Sequence, residues 1–188
     1  PARQVRDAFD HFRRVLDAGA AMGAKTFVYH GRNTPLLSPL PWNLSWNIEA
    51  LVPMCEEAAQ RGMVIGWENV FWCQLTTPER VLEATATFEP IRFTLDIKQA
   101  MHAGCDPFAF VRAMGNRIAN VHVCDWHDAK HLCLPGEGCF DFPALMRALH
   151  GAGYAGPVIL EPYLSLISSE DALLRSIAYL RAAMRDLA

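Results

Sequence analysis

Arg92-Phe93-Thr94-Leu95-Asp96 is a short, mostly apolar run that stops on a carboxylate, and the pattern recurs along the chain. Met63-Val64-Ile65-Gly66-Trp67-Glu68 and Pro157-Val158-Ile159-Leu160-Glu161 end on glutamates, and Ile118-Ala119-Asn120-Val121-His122 ends on a histidine. A fifth run, Thr26-Phe27-Val28-Tyr29-His30, ends on another histidine. Apolar runs of this length read as strands buried on both faces, as in a parallel sheet. A parallel sheet puts all its C-terminal strand ends on one side, where α/β enzymes keep their sites. Glu68, Asp96, His122 and Glu161 are therefore expected to meet on one rim.

Helical stretches lie between these runs. Val5, Phe9, Phe12 and Leu16 form one face of an opening helix, and Ile48, Leu51, Val52 and Cys55 mark a second from about Trp46 to Gly62. Thr77-Pro78, Asp106-Pro107, Asp141 and Ser169 are start signals for four more. Strict alternation means βαβ units with right-handed crossovers. No glycine-rich phosphate turn follows a strand, which counts against a nucleotide-binding doubly wound sheet. Ligand-type residues at the ends of consecutive strands favour a (β/α)₈ barrel, but such a barrel needs eight strands and about 250 residues. This chain of 188 residues offers five. It reads as a single domain over residues 1–188, the C-terminal five-eighths of a barrel, opening on Pro1 and a helix with no strand ahead of it. Five strands leave uncovered edges, so a homo-oligomer that covers them is an expectation.

Composition excludes several classes. A net charge of −3 and a pI near 6.2 give no reason to expect nucleic acid or a membrane surface. No 18 apolar residues run together. Cys55, Cys73, Cys105, Cys124, Cys133 and Cys139 form no CxxC pair, as expected of reduced cysteines in a cytoplasmic protein. Three carboxylates and an imidazole suit Mn²⁺, Mg²⁺ or Co²⁺, and Zn²⁺ is also accommodated. A single strand-terminal acid is usually a cap or a salt bridge; four such residues in register point to one divalent ion.

The chain also resembles a known family. Glu68-Asn69-Val70, Leu95-Asp96, Val121-His122-Val123 with Asp125, Pro135-Gly136-Glu137-Gly138, and Gly153-Tyr154 leading to Pro157-Val158-Ile159-Leu160-Glu161-Pro162 follow in order. They are similar to the sugar phosphate isomerase/epimerase superfamily, the xylose-isomerase-like TIM barrels that include AP endonuclease family 2. The resemblance covers nearly the whole chain. It implies one divalent metal held by Glu68, Asp96, His122 and Glu161. It also implies a sugar or sugar phosphate isomerase or epimerase working by proton transfer through a metal-stabilised enediolate, with Glu68 and Glu161 as catalytic acid/base groups. An inosose dehydratase-like lyase on a polyol, or a silent truncated barrel acting as a binding or assembly module, are the alternatives. The chain lacks the extra histidines and basic surface of the endonuclease branch.

One position departs from the pattern: Gln99 stands where many members carry histidine, and it can hydrogen-bond a hydroxyl but not act as acid or base. His30 and His131 are further substrate-binding candidates, as is Trp126, whose ring can stack on a sugar face together with that of Trp72. Lys98 can pair with a phosphate or a carboxylate, although a lone lysine after a strand is ordinarily solvated. Trp67 is expected to point outward beneath a helix. Asp125 is expected to brace a neighbouring ligand. Two loops leave the rim ends of strands and should overhang the site: Gly31 to Asn43, which carries Pro35, Pro39 and Pro41, and Cys124 to Phe140.

Overall fold

The computed structural model describes residues 2–34, 40–128 and 130–185, so positions 35–39 of the proline-rich loop lie outside the described residues. Helix α1 (Ala2–Ala21) leads into strand β1 (Thr26–Tyr29), followed by α2 (Leu44–Ala59), β2 (Val64–Glu68), α3 (Pro78–Thr87) and β3 (Arg92–Asp96). Next come α4 (Ile97–His102), α5 (Pro107–Met114) and β4 (Ile118–Val123). A hairpin of β5 (Asp125–Asp128) and β6 (His131–Cys133) then precedes α6 (Phe142–Gly151), β7 (Val158–Leu160) and α7 (Glu170–Arg185).

The main sheet runs in the order β1-β2-β3-β4-β7, and every pairing in it is parallel. Spatial order follows chain order, with each crossover returning beside the strand it left. A doubly wound sheet reverses its order at a switch point, whereas this one winds in one direction as a barrel wall does.

Alternation divides the sheet into two faces. Ile65, Trp67, Phe93, Leu95, Val121 and Val123 are at most 3% exposed and form the core with the helices. Trp67 accordingly lies on the helix side, where its ring stacks with that of Trp42 at 6.1 Å. Gly31 follows β1 with φ +84°, and a Cβ there would lie 2.7 Å from Trp67 Nε1, so only glycine fits. The opposite face is small and polar. A Cβ on Gly66 would stand 2.5 Å from Thr94 Oγ1 and 3.0 Å from Thr26 Cγ2.

The helix boundaries differ from the sequence reading for local reasons. Helix α2 starts at Leu44 because the Asn43 side chain accepts the Trp46 N–H, and it ends at Ala59 rather than near Gly62. Thr77 occupies the cap position of α3 without a side-chain cap hydrogen bond. The short α4 had no separate signal, because its N-cap is Asp96, the last residue of a strand. Asp106, Asp141 and Ser169 cap through their side chains as the sequence reading expects. No helix among the described residues is long and apolar enough to cross a membrane.

The Cys124 to Phe140 connection is folded onto Asp125 rather than hanging free. The Asp125 carboxylate, 1% exposed, accepts N–H groups from Trp126 (2.8 Å), Gly136, Gly138 and Phe140 (3.1 Å each). Asp125 thus staples the Gly-Glu-Gly loop to the hairpin instead of bracing a metal ligand, and a Cβ at Gly138 would collide with its carboxylate. Asp125→Ala would strand four N–H groups and is expected to cost about 3 kcal/mol or more, with Asp125→Asn milder because one acceptor oxygen remains. Urea denaturation measures both, and an unchanged midpoint in the alanine variant would show that the loop does not need the staple.

Candidate metal centre

Each rim residue is placed by its strand. Glu68 ends β2, Asp96 ends β3 and His122 lies at the rim end of β4. Glu161 follows β7 immediately, where its N–H continues the ladder to Val123 O at 2.9 Å. Asp96 sits directly opposite His122 in the β3–β4 register. The sheet thus gathers the four groups that the sequence reading singled out, and their ligand atoms all lie within 4.8 Å of one another.

His122 Nδ1 stands 3.0 Å from Glu68 Oε1 and 3.4 Å from Glu161 Oε2. On the other side of the ring, Nε2 lies 2.9 Å from Asn120 Nδ2, while Asn120 Oδ1 has no partner. A ring N–H at Nε2 needs an acceptor, so the amide oxygen belongs opposite it, which leaves Nδ1 to face the carboxylates. Asn69 clamps the neighbouring strand: its amide donates to Asp96 O and its oxygen accepts the Asp96 N–H, both at 2.8 Å. One Asp96 oxygen, Oδ1, caps α4 by accepting Gln99 N–H at 3.0 Å. The other, Oδ2, is buried without any hydrogen bond.

That orphaned oxygen tests whether a metal fits. A buried carboxylate oxygen without a hydrogen bond is costly; the Lys98 ammonium, 3.6 Å away, offsets that cost only in part, and an ion at bonding distance removes it. Atoms sharing one ion lie within about twice a 2.0–2.2 Å bond of each other, close to the spread found here. The donor set, three carboxylates and one imidazole, suits a hard or borderline divalent ion. Asp96, Glu68, Glu161 and His122 therefore fit the ion that the sequence reading assigned to them.

Burial and close charge partners shift the proton affinities of the cluster. Burial pushes the Asp96 carboxyl well above the usual carboxylate range, with Lys98 opposing. The hydrogen bond from His122 holds Glu161 well below that range, against its partial burial. Burial disfavours charge on His122, but the hydrogen bonds to Glu161 and Glu68 outweigh it and raise the imidazole to about 10. A positive ring thus stands among three acids, and ligation of an ion through that ring must release its proton.

The remaining candidates fall in different places. His30 reaches the cluster, with Nε2 2.9 Å from Glu68 Oε2 and its side chain 55% exposed. Gln99 is buried at the start of α4, where its Oε1 accepts the Phe71 N–H at 3.4 Å. Trp126 belongs to the hairpin and packs its ring against Phe140 at 4.8 Å. His131 lies exposed on the same hairpin, with Nδ1 2.8 Å from Asp128 Oδ2. Lys98, read from sequence as solvated, is instead 5% exposed and points at the acids. Only its position two residues past a strand-terminal acid signalled this. The bracing roles of Asn69 and Asn120 carried no sequence signal beyond adjacency to a ligand.

Known proteins bear on this geometry. The chain is 25% identical over 195 residues to an inosose dehydratase of Geobacillus thermodenitrificans, an alignment covering 86% of this chain and 64% of that one. Among solved structures it is similar to a D-tagatose 3-epimerase-like protein, with a TM-score of 0.67, 25% identity, and coverage of 90% of this chain and 68% of that one. It also shares its fold with the IolI protein, solved with a bound zinc atom, at a TM-score of 0.70, 17% identity, and coverage of 98% and 70%. The chain spans between 19% and 64% of the length of the curated relatives it matches. A family model described as a xylose isomerase-like TIM barrel matches residues 1–183, and the chain belongs to that family.

Proposed function

We propose that this chain carries the metal site of an isomerase or epimerase that moves a proton at a carbon beside a carbonyl of a small sugar or sugar phosphate. One observation carries the reading: four strand-end side chains converge, two of them glutamates that both approach the same imidazole nitrogen. Glu68, Asp96, His122 and Glu161 hold the divalent ion, for which Mn²⁺, Mg²⁺ or Co²⁺ are favoured and Zn²⁺ is compatible. When bound, the ion supplies Lewis acidity that stabilises negative charge on a substrate oxygen. The chain's own residues do the rest.

Glu161 is the more accessible of the two glutamates. Its side chain is 46% exposed against 3% for Glu68, and its hydrogen bond with His122 keeps it ionised, so it is open to substrate and free to take a proton. Glu68 is buried between His30 and His122, and that pair of contacts fixes it in one orientation. One carboxylate can take the proton and the other return it, the arrangement that inverts a carbon. His30, half exposed beside Glu68, is proposed to hydrogen-bond a substrate hydroxyl. Gln99, from the first turn of α4, and Trp126 and His131, from the hairpin, are proposed as further substrate contacts.

A dehydratase is the second reading, favoured by the likeness to an inosose dehydratase. It begins with the same proton abstraction and then expels a hydroxyl. Product analysis on a panel of ketoses and inososes separates the two, since water loss creates an absorbing conjugated carbonyl and epimerisation does not.

Two measurements check the site. In the first, protein stripped with chelator is heated with and without Mn²⁺; at a hundredfold excess over Kd the midpoint should rise by about 5–10 °C. Asp96→Ala should erase that rise, and a wild-type midpoint indifferent to every divalent ion would remove the metal from the account. In the second, Glu161→Gln should keep the far-ultraviolet circular dichroism spectrum while solvent-deuterium incorporation falls by on the order of 10²–10⁴. Incorporation at the wild-type rate would assign the base elsewhere.

A further inference from the structure

Lys98 occupies an expensive position for a cation. Its side chain is 7% exposed, with Nζ 3.4 Å from Glu161 Oε2 and 3.6 Å from Asp96 Oδ2. The Tyr163 ring lies beneath it at 5.2 Å. Among the described residues its polar contacts are these two carboxylates, and it bonds no backbone carbonyl. Withdrawing an ammonium from water costs several kcal/mol, and ordering a long side chain adds to that. Its place in the first turn of α4 is unfavourable for a cation as well. Something other than helix formation keeps a lysine here.

The two oxygens it faces are the ones turned to the cluster. Glu161 Oε2 is the atom 3.4 Å from His122 Nδ1, and Asp96 Oδ2 is the atom left over after Oδ1 caps the helix. Three carboxylates and a neutral imidazole around a dication sum to one net negative charge. Such a surplus opposes the growth of further negative charge on a substrate oxygen, and at separations near 4 Å the opposition is not screened away. One ammonium beside the acids brings the sum to zero.

We propose that Lys98 is a built-in cation of the metal site: it competes with the divalent ion for Asp96 and Glu161 and, with the ion in place, neutralises the surplus carboxylate charge and positions Glu161. This rests on the metal reading above. It has an unusual signature, because a residue that merely supports the ligands would lose metal affinity and activity together. Removing this cation should strengthen metal binding and weaken turnover.

The test is calorimetric titration of Mn²⁺ alone into the chelator-stripped chain at pH 7.5, comparing wild type with Lys98→Met and Lys98→Arg. Lys98→Met is expected to bind Mn²⁺ at least tenfold more tightly, and Lys98→Arg to stay within about threefold of wild type. On whichever ketose the wild type turns over, Lys98→Met should lose at least tenfold in kcat with KM little changed, and Lys98→Arg should recover most of the loss. Mn²⁺ affinity in Lys98→Met that is equal to or weaker than wild type overturns the proposal while leaving the metal site intact. A wild type that binds no Mn²⁺ overturns the metal reading itself, and the role of Lys98 with it. Lys98→Gln replaces the methionine variant if circular dichroism shows that variant unfolded; unfolding of both would make Lys98 a structural residue and overturn the proposal too.

Discussion

Three carboxylates within a few ångströms of one another repel, and in a partly buried site that repulsion is not dissolved by solvent. Glu68, Asp96 and Glu161 are held in this state because each ends, or directly follows, a strand whose position is fixed by its hydrogen bonds to its neighbours. The sheet cannot relax to separate them. Positive charge must come to the acids instead: an imidazole whose proton affinity is raised and a buried ammonium lie beside them, and their lone pairs have the spacing of a divalent site.

The scaffold around the cluster is built to resist that load. Asn69 ties the start of the connection after β2 to both backbone groups of Asp96, so two ligand-bearing strand ends move as one. Asp96 divides its oxygens between a helix cap and the cluster, which fixes the free oxygen in direction. Asn120 holds the far side of the His122 ring. Beneath them the outward residues of the strands, from Ile65 to Val123, are locked into the core. Placement this firm is what a catalytic constellation needs, since small displacements of reacting groups are costly in rate.

Under the proposed function, the chemistry common to epimerases and dehydratases would draw on the same arrangement. Both begin by taking a proton from a carbon acidified by a neighbouring carbonyl, and both need a fixed base and a place for negative charge. They part afterwards, when a hydroxyl either stays or leaves. Under the proposed function, groups that decide between these fates touch the far end of the substrate, and the hairpin carrying Trp126 and His131 is the candidate proposed for that role.

Apolar runs that stop on acids and histidines were enough to give the parallel sheet, its direction and the four converging side chains, because strand direction and the period of two are local properties of sequence. The cap residues Asp106, Asp141 and Ser169 were legible for the same reason. Tertiary structure alone decided the rest. Asp125 faced a glycine loop rather than a ligand because the hairpin folded back over it, and nothing local encodes which distant N–H groups a carboxylate will meet. Lys98 looked like an ordinary solvated lysine until α4 began at Asp96 and turned it inward. Burial and charge partnership arise from segments far apart in the chain, here Asp96 and Glu161 closing on Lys98 from two strands, and only the assembled sheet brings them into one electrostatic environment.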